Sequence, residues 1–108
     1  MNLSTEKALQ KLKDSKQLFT EVFKHGTLSV EVYKPEKIDH QQPHDRDEIY
    51  VIMSGSGDFY INGEIYPFTT GDFLFVPAGI EHRFVNFTDN FSTWVFFYGP
   101  KGGEKADQ

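Results

Sequence analysis

The sequence predicts an all-β fold, a sandwich or closed barrel of short antiparallel strands preceded by one short helix. Three observations carry this expectation. From Gln17 onward apolar and polar residues alternate with a period of two. Gly or Pro punctuates that pattern roughly every 8 to 12 residues, and no helical stretch separates the strands as parallel crossovers would require. A chain of 108 residues and 12.5 kDa suits a single domain, and eleven Phe, five Tyr and one Trp are enough to build its core. The expected division is a helix in residues 1–16, a barrel in 17–99 and a flexible tail in 100–108.

Ser4 or Thr5 caps a helix running to about Ser15, with Glu6 in the first turn and Ala8, Leu9 and Leu12 forming its apolar stripe. Leu18 to Phe23 and Leu28 to Tyr33 read as a hairpin around His25-Gly26, with Leu28, Val30 and Val32 alternating against polar neighbours. The polar stretch KPEKIDHQQPHDRD leads into a strand from Glu48 to Met53. Ser54 to Gly57, SGSG, reads as a turn; it lies between strands, so no helix dipole makes it a phosphate cradle. Asp58 to Ile61 and Glu64 to Phe68 flank Asn62-Gly63, which readily supplies the two positive φ angles of a type I′ turn. Gly71-Asp72 turns the chain into Phe73 to Val76, Pro77-Ala78-Gly79 into His82 to Phe87, and Thr88-Asp89-Asn90 into Phe91 to Tyr98. The tail KGGEKADQ is expected to fray. The last strand is apolar on both parities, Phe91, Val95 and Phe97 on one and Trp94, Phe96 and Tyr98 on the other. One of those faces needs a cover outside the barrel core, and a second copy of the chain is the expected cover, making a homodimer.

Charge and composition exclude several classes of partner. Residues 38–100 hold nine acids against Arg46 and Arg83 and no lysine. A nucleic-acid or anionic-membrane surface needs the reverse, and a polyphosphate would need several cations around it. With no cysteine, disulfides, Fe–S clusters and thiolate zinc sites are excluded, so any metal must take His, carboxylate or amide ligands. The first 20 residues lack a secretory apolar core and no apolar run reaches 18 residues, so the cytoplasm is the expected location.

Chemistry concentrates in two segments. The first is Gln42-Pro43-His44-Asp45-Arg46-Asp47-Glu48, with Gly55 beyond it; if extended, Gln42, His44 and Glu48 share a parity. The second is GDFLFVPAGIEHRFVN, carrying Gly71, Pro77, Gly79, His82 and Asn86. A barrel can bring His82 against His44 and Glu48, so that two imidazoles, a carboxylate and an amide oxygen converge as ligands for a divalent first-row metal with positions left for water or substrate. The plain alternative is a hydrogen-bonded trio without an ion, which leaves Glu48 buried at a cost of several kcal/mol or protonated. Tyr50 follows Glu48 at the same parity and is a candidate acid or substrate-binding hydroxyl as well as a core residue. His40 shares Gln42's parity and is a candidate to replace it, a candidate proton carrier or a rim residue, Arg46 a candidate partner for a substrate carboxylate or a surface ion pair, and His25 a turn residue.

At these residues the chain resembles the single-domain cupins. Their second motif, G-x5-P-x-G-x2-H-x3-N, is filled by Gly71, Pro77, Gly79, His82 and Asn86; their first, H-x-H followed by E and G, is filled by His44, Glu48 and Gly55 but has Gln42 at its leading position. The resemblance spans about residues 42 to 86 and implies a jelly-roll barrel, a double-stranded β-helix. It implies Gln42, His44, Glu48 and His82 as metal ligands. An amide oxygen in place of one imidazole would favour Fe, Mn or Ni over Cu, with Zn possible. One carboxylate against a divalent ion leaves net +1, room for one anionic or enolised oxygen. The family hosts dioxygenases, isomerases, epimerases, decarboxylases, lyases, storage proteins and ligand sensors, so the resemblance does not choose a reaction. Two expectations stand: a metal-dependent dioxygenase or isomerase acting on a small organic substrate in the barrel, or a non-catalytic module binding a sugar or metabolite there.

Overall fold

In the computed structural model, which describes residues 1–105, helix α1 (Thr5–Ser15) begins where Ser4 accepts the Lys7 N–H on its hydroxyl at 3.1 Å. It ends at Lys16, whose left-handed backbone (φ 59°) turns the chain and donates its N–H to the Lys13 carbonyl. Ala8 and Leu12 are buried against Val32, with Leu9, Val22, Met53 and Trp94 packed around them. The helix therefore covers part of the sheet's outer face, including Trp94 of the doubly apolar last strand.

The strands are β1 (Phe19–His25), β2 (Leu28–Tyr33), β3 (Asp47–Ser54), β4 (Ser56–Ile61), β5 (Glu64–Thr69), β6 (Phe73–Val76), β7 (His82–Val85) and β8 (Ser92–Tyr98). They form two antiparallel sheets, ordered β1-β2-β8-β3-β6 and β5-β4-β7. β8 lies between β2 and β3, and β7 lies beside β4, so the two sheets interleave strands distant in sequence as a jelly roll does. Between the sheets sits an aromatic core: Tyr50, Ile52, Val76 and Val95 face Phe59, Phe68, Phe84 and Phe91. The Phe84 and Phe91 ring centroids are 4.6 Å apart, and Tyr50 meets Phe84 edge-on at 4.8 Å.

Pairing of Val32 with the helix sets the pleat of β2, so Glu31 and Tyr33 face inward, as Glu48 and Tyr50 do on β3 and Val95 and Phe97 on β8. One end of the barrel is thus filled by Phe rings and the other is lined by acids, imidazoles and hydroxyls.

Several local expectations are revised. Ser56 and Gly57 belong to β4, paired with Thr69 and Phe68, and Gly55 alone carries the chain from one sheet to the other at φ 85°. A Cβ on Gly55 would lie 2.6 Å from Thr88 Oγ1 and 2.7 Å from Phe91 Cα, so this crossover admits glycine only. β7 stops at Val85 because Asn86 adopts a left-handed φ of 53°, its side chain donating to Asp58. Asn62 and Gly63 both have positive φ, as a type I′ turn requires. The tail, expected to be free, is hydrogen-bonded through Gly102 N–H to the Asp45 carbonyl and Glu104 N–H to the buried Asp47 carboxylate; residues 106–108 lie outside the described residues. On the edge strand β6, Phe73 and Phe75 remain 63% and 45% exposed. Among the described residues no helix is long and apolar enough to cross a membrane.

Candidate metal centre

Glu48 is the first inward residue of β3 that reaches the polar end of the barrel, and His82 opens β7 opposite it. Pro77 and Gly79 shape the turn that delivers His82; the Gly79 N–H donates to the His44 carbonyl at 2.7 Å, tying the two motif segments together. His82 Nδ1 lies 2.9 Å from the Ile80 carbonyl, which can only accept, so that nitrogen carries the proton and Nε2 presents a lone pair in the neutral ring. That Nε2 faces Glu48 Oε1 at 3.1 Å, and His44 Nε2 is 4.0 Å from the same oxygen. Donor atoms of His44, Glu48 and His82 all lie within 4.8 Å of one another. Ligands sharing an ion at about 2.1 Å sit about 3.0 to 3.4 Å apart at octahedral or tetrahedral angles, so Glu48 and His82 are already spaced for one and His44 must close in by roughly an ångström.

The trio's hydrogen bonding is what singles it out. Glu48 is 1% exposed, yet among the described residues neither of its oxygens has a hydrogen-bond donor, and His82 Nε2 is equally buried and unpartnered. A carboxylate and an imidazole lone pair held face to face repel each other unless a proton or a cation lies between them. For His82, burial alone would lower the pKa, but the Glu48 carboxylate and the Ile80 carbonyl outweigh it and hold the imidazole above its ordinary 6.5. Either the ring takes a proton or an ion replaces it, and the donor set of two imidazoles and one carboxylate is that of a first-row divalent site.

The fourth position differs from the sequence expectation. Gln42 is exposed, and the side chain that enters the site is that of its neighbour Gln41. Parity counting requires an extended chain, whereas the segment 34–46 forms no strand and is pinned instead by Asp39. This buried carboxylate accepts from Tyr33 Oη (2.6 Å), Gln41 N (3.2 Å), Gln41 Nε2 (2.7 Å) and Phe84 N (2.8 Å). With its NH₂ held by Asp39, the Gln41 amide points its oxygen at the site, 3.3 Å from His44 Nε2, where it also accepts from the Tyr50 hydroxyl at 2.9 Å. Neither Asp39 nor Gln41 stood out in the sequence; an acid followed two residues later by Gln in a polar loop carries no distinguishing pattern.

The remaining candidates sort clearly. Tyr50 is fully buried, and burial first, then the Glu48 charge, push its phenol well above 10, so it stays protonated and is not a base. His40 is exposed at the rim of the cavity, and Arg46 does not line it and, among the described residues, makes no ion pair: its Nε donates to the Gly99 carbonyl. His25 ends β1 at an exposed turn.

Beside the trio a cavity of about 450 Å³ is lined by Leu18, Phe19, Ile38, Val95 and Phe97 on its apolar side and by Glu31, Tyr33, His40, Gln41, His44 and Glu48 on its polar side. Such a volume holds a small organic molecule. Glu31 was not anticipated. Burial, and then the charges of Glu48 and Glu21, raise its carboxyl from 4.5 to about 6.

A jelly-roll barrel with a His-Glu-His cluster at its polar mouth defines a class of small β-barrel proteins with a possible metal site. Comparison with known families makes this specific: residues 29–98 match the Cupin_2 cupin domain, and the chain belongs to the cupin family. It is 32% identical over 63 residues to the uncharacterized protein SCO3923 of Streptomyces coelicolor, covering 58% of this chain and 60% of that protein. It is 32% identical over 77 residues to protein SchB of Streptomyces halstedii, 69% of this chain and 55% of that one. The chain thus spans well under two thirds of the length of these relatives. Among solved structures, a cupin-2 domain protein of Shewanella frigidimarina superposes with a TM-score of 0.66 at 15% identity, covering 84% of this chain and 91% of that one. A Cupin 2 conserved barrel domain protein of Salinispora arenicola does so with a TM-score of 0.62 at 21% identity, covering 75% and 74%. At these identities the structural likeness speaks for the fold alone.

Proposed function

We propose that this cupin holds a divalent first-row metal ion between His44, Glu48 and His82, with the Gln41 amide oxygen as fourth donor, and presents it to a small organic compound in the adjoining cavity. One observation carries the reading: a fully buried carboxylate and an imidazole lone pair 3.1 Å apart, neither with a hydrogen-bond donor. Iron, manganese, nickel or zinc suits the donor set. Such an ion would supply Lewis acidity and, for iron or manganese, redox capacity. The chain's own part is to orient and exclude. Asp39 fixes the Gln41 amide, the Ile80 carbonyl fixes the His82 tautomer, and Phe97 stacks edge-on against His44 at 5.0 Å to keep water from that side. The apolar cavity wall of Val95, Phe97 and Phe19 holds the organic body of the ligand against the polar end.

The reaction in view is oxidation or isomerisation of that ligand. A second reading, metal-assisted binding without turnover, is favoured by the Tyr50 proton, which is committed to Gln41 and so not free for transfer. Untagged protein equilibrated with Fe(II), Mn(II) or Zn(II) and then desalted should retain about one equivalent by elemental analysis, and H82A should retain almost none. Equal and negligible retention by both proteins would remove the metal reading. Turnover of candidate diketones, phenols or polyols by the loaded protein, followed by oxygen uptake and product analysis, separates reaction from binding.

A further inference from the structure

The charge balance of the cavity carries an inference about what it accepts. β2 places Glu31 inward, across from Val95 of β8, while β3 places Glu48 inward across from Phe97 of the same strand. The two acids therefore flank an apolar strip on one wall, and both line the same cavity. Among the described residues lining it there is no lysine or arginine. Lys13, Lys16 and Lys34 line the neighbouring groove at the end of the helix, which shares Gln17 and Leu18 with the cavity, and Arg46, outside the cavity lining, donates through Nε to the Gly99 carbonyl. The Tyr33 hydroxyl, which faces the cavity, is committed to Asp39. Glu31 itself has no hydrogen bond or ion pair to a neighbouring side chain among the described residues, so its charge is spent on nothing but the cavity.

We propose that Glu31 cancels the positive charge that a divalent ion and Glu48 would leave, and thereby makes the cavity selective for uncharged or cationic organic compounds and against carboxylates. The inference rests on the metal reading for the size of that charge. Two carboxylates against one divalent ion leave no net charge, and the buried Asp39 carboxylate behind Tyr33 and Gln41 tips the balance negative, so the anionic oxygen that a single-carboxylate site would welcome is repelled here. What remains is an apolar wall suited to a ring or hydrocarbon body, and polar ends suited to hydroxyl, carbonyl or ammonium groups. The raised carboxyl of Glu31 agrees with a side chain held in a poorly solvated, already acidic cavity.

Three probes with one ring and different charges test this: benzylamine, benzyl alcohol and benzoate, titrated at pH 8 by ligand-observed NMR against zinc-loaded and metal-free protein. Benzoate should bind wild type at least about tenfold more weakly than benzyl alcohol, the size of effect one nearby like charge produces in a partly screened site. E31Q should tighten benzoate by about the same factor and leave benzyl alcohol within about twofold. Benzoate binding as tightly as benzyl alcohol to wild type overturns the proposal without recourse to any variant. An unchanged benzoate to benzyl alcohol ratio in E31Q overturns it too, as does failure of all three to bind wild type. If zinc does not bind but E31Q still relieves benzoate exclusion in metal-free protein, the metal reading and the charge-cancelling role both fail, and Glu31 is left only as a repulsive wall against carboxylates. If zinc binds and the ratio ignores E31Q, the metal reading stands and the role of Glu31 fails.

Discussion

Replacing Glu48 by Gln removes one charge and almost no volume, and its consequences follow from the site's geometry. In metal-free protein Glu48 is buried with two oxygens lacking donors, and the compensation comes from His82, whose raised pKa reflects that contact. The stability this pair contributes is fully present below the unfolded pKa of 6.5 and is lost as pH rises through the raised folded value. Above it the carboxylate faces a neutral imidazole, and a buried uncompensated carboxylate costs several kcal/mol. E48Q supplies an amide N–H₂ that can donate to His82 Nε2, so at pH 8 it should stabilise the metal-free protein by about 2 kcal/mol. For a domain of this size that raises Tm by roughly 8 to 15 °C. In the presence of zinc the order should reverse: wild type gains about 2.7 kcal/mol at a free concentration a hundredfold above Kd, and E48Q gains almost nothing. Differential scanning calorimetry on both proteins, with chelator and with zinc, at pH 5.5 and pH 8, reads these differences. If E48Q is destabilised in chelator at pH 8, or gains as much from zinc as wild type, the reasoning from the unpartnered carboxylate is wrong.

Other expectations follow from single residues. Asp39→Ala removes the acceptor of four hydrogen bonds, and should cost about 3 kcal/mol in urea unfolding and weaken zinc binding roughly tenfold or more through the freed Gln41 amide. Q41A should weaken zinc binding about tenfold by calorimetric titration while Q42A leaves it unchanged, because only Gln41 turns its side chain into the site. Glu31, with a folded pKa of about 6 against 4.5 unfolded, binds more protons in the folded protein, so its unfavourable effect grows between those two pH values and stays constant above. The shift corresponds to about 2 kcal/mol unscreened and about 1 kcal/mol after allowing for its solvent contact, so E31Q should stabilise metal-free protein by about 1 kcal/mol at pH 8 and not at pH 4. For Phe73 and Phe75, on the uncovered edge of the large sheet, we propose a second copy as cover; sedimentation should give about twice 12.5 kDa, and F73S with F75S should return the monomer.

The sequence was most readable where local chemistry and periodicity agree. Ser4 before an amphipathic run, Asn62-Gly63 between alternating strands and the Val30 and Val32 stripe each reappear as the cap, the type I′ turn and the outward face of β2. His44, Glu48 and His82 were legible because their spacing falls in two linked motifs, and the fold brings their donor atoms together. What stayed hidden has one physical origin: polar residues turned inward. Asp39 and Asp47 sit in a stretch that reads as solvated loop, yet each is buried because it binds backbone N–H groups of distant segments, Phe84, Ala78 and Glu104. Glu31 alternates with Val30 and Val32 and so reads as the wet side of a strand; only the second sheet shows that this side is the barrel's interior. Gln42 stood out, and Gln41 did not, because a two-residue period was extended through Pro43 into a segment that is not a strand.

Anomalous diffraction from a crystal of the untagged protein soaked with zinc or manganese measures the central claim directly. The expected result is one strong peak about 2.1 Å from Nε2 of His44, Nε2 of His82 and a Glu48 oxygen, with the Gln41 amide oxygen facing it. A map without that peak, in which His82 Nε2 stays at hydrogen-bond distance from Glu48 with nothing between them, would contradict it.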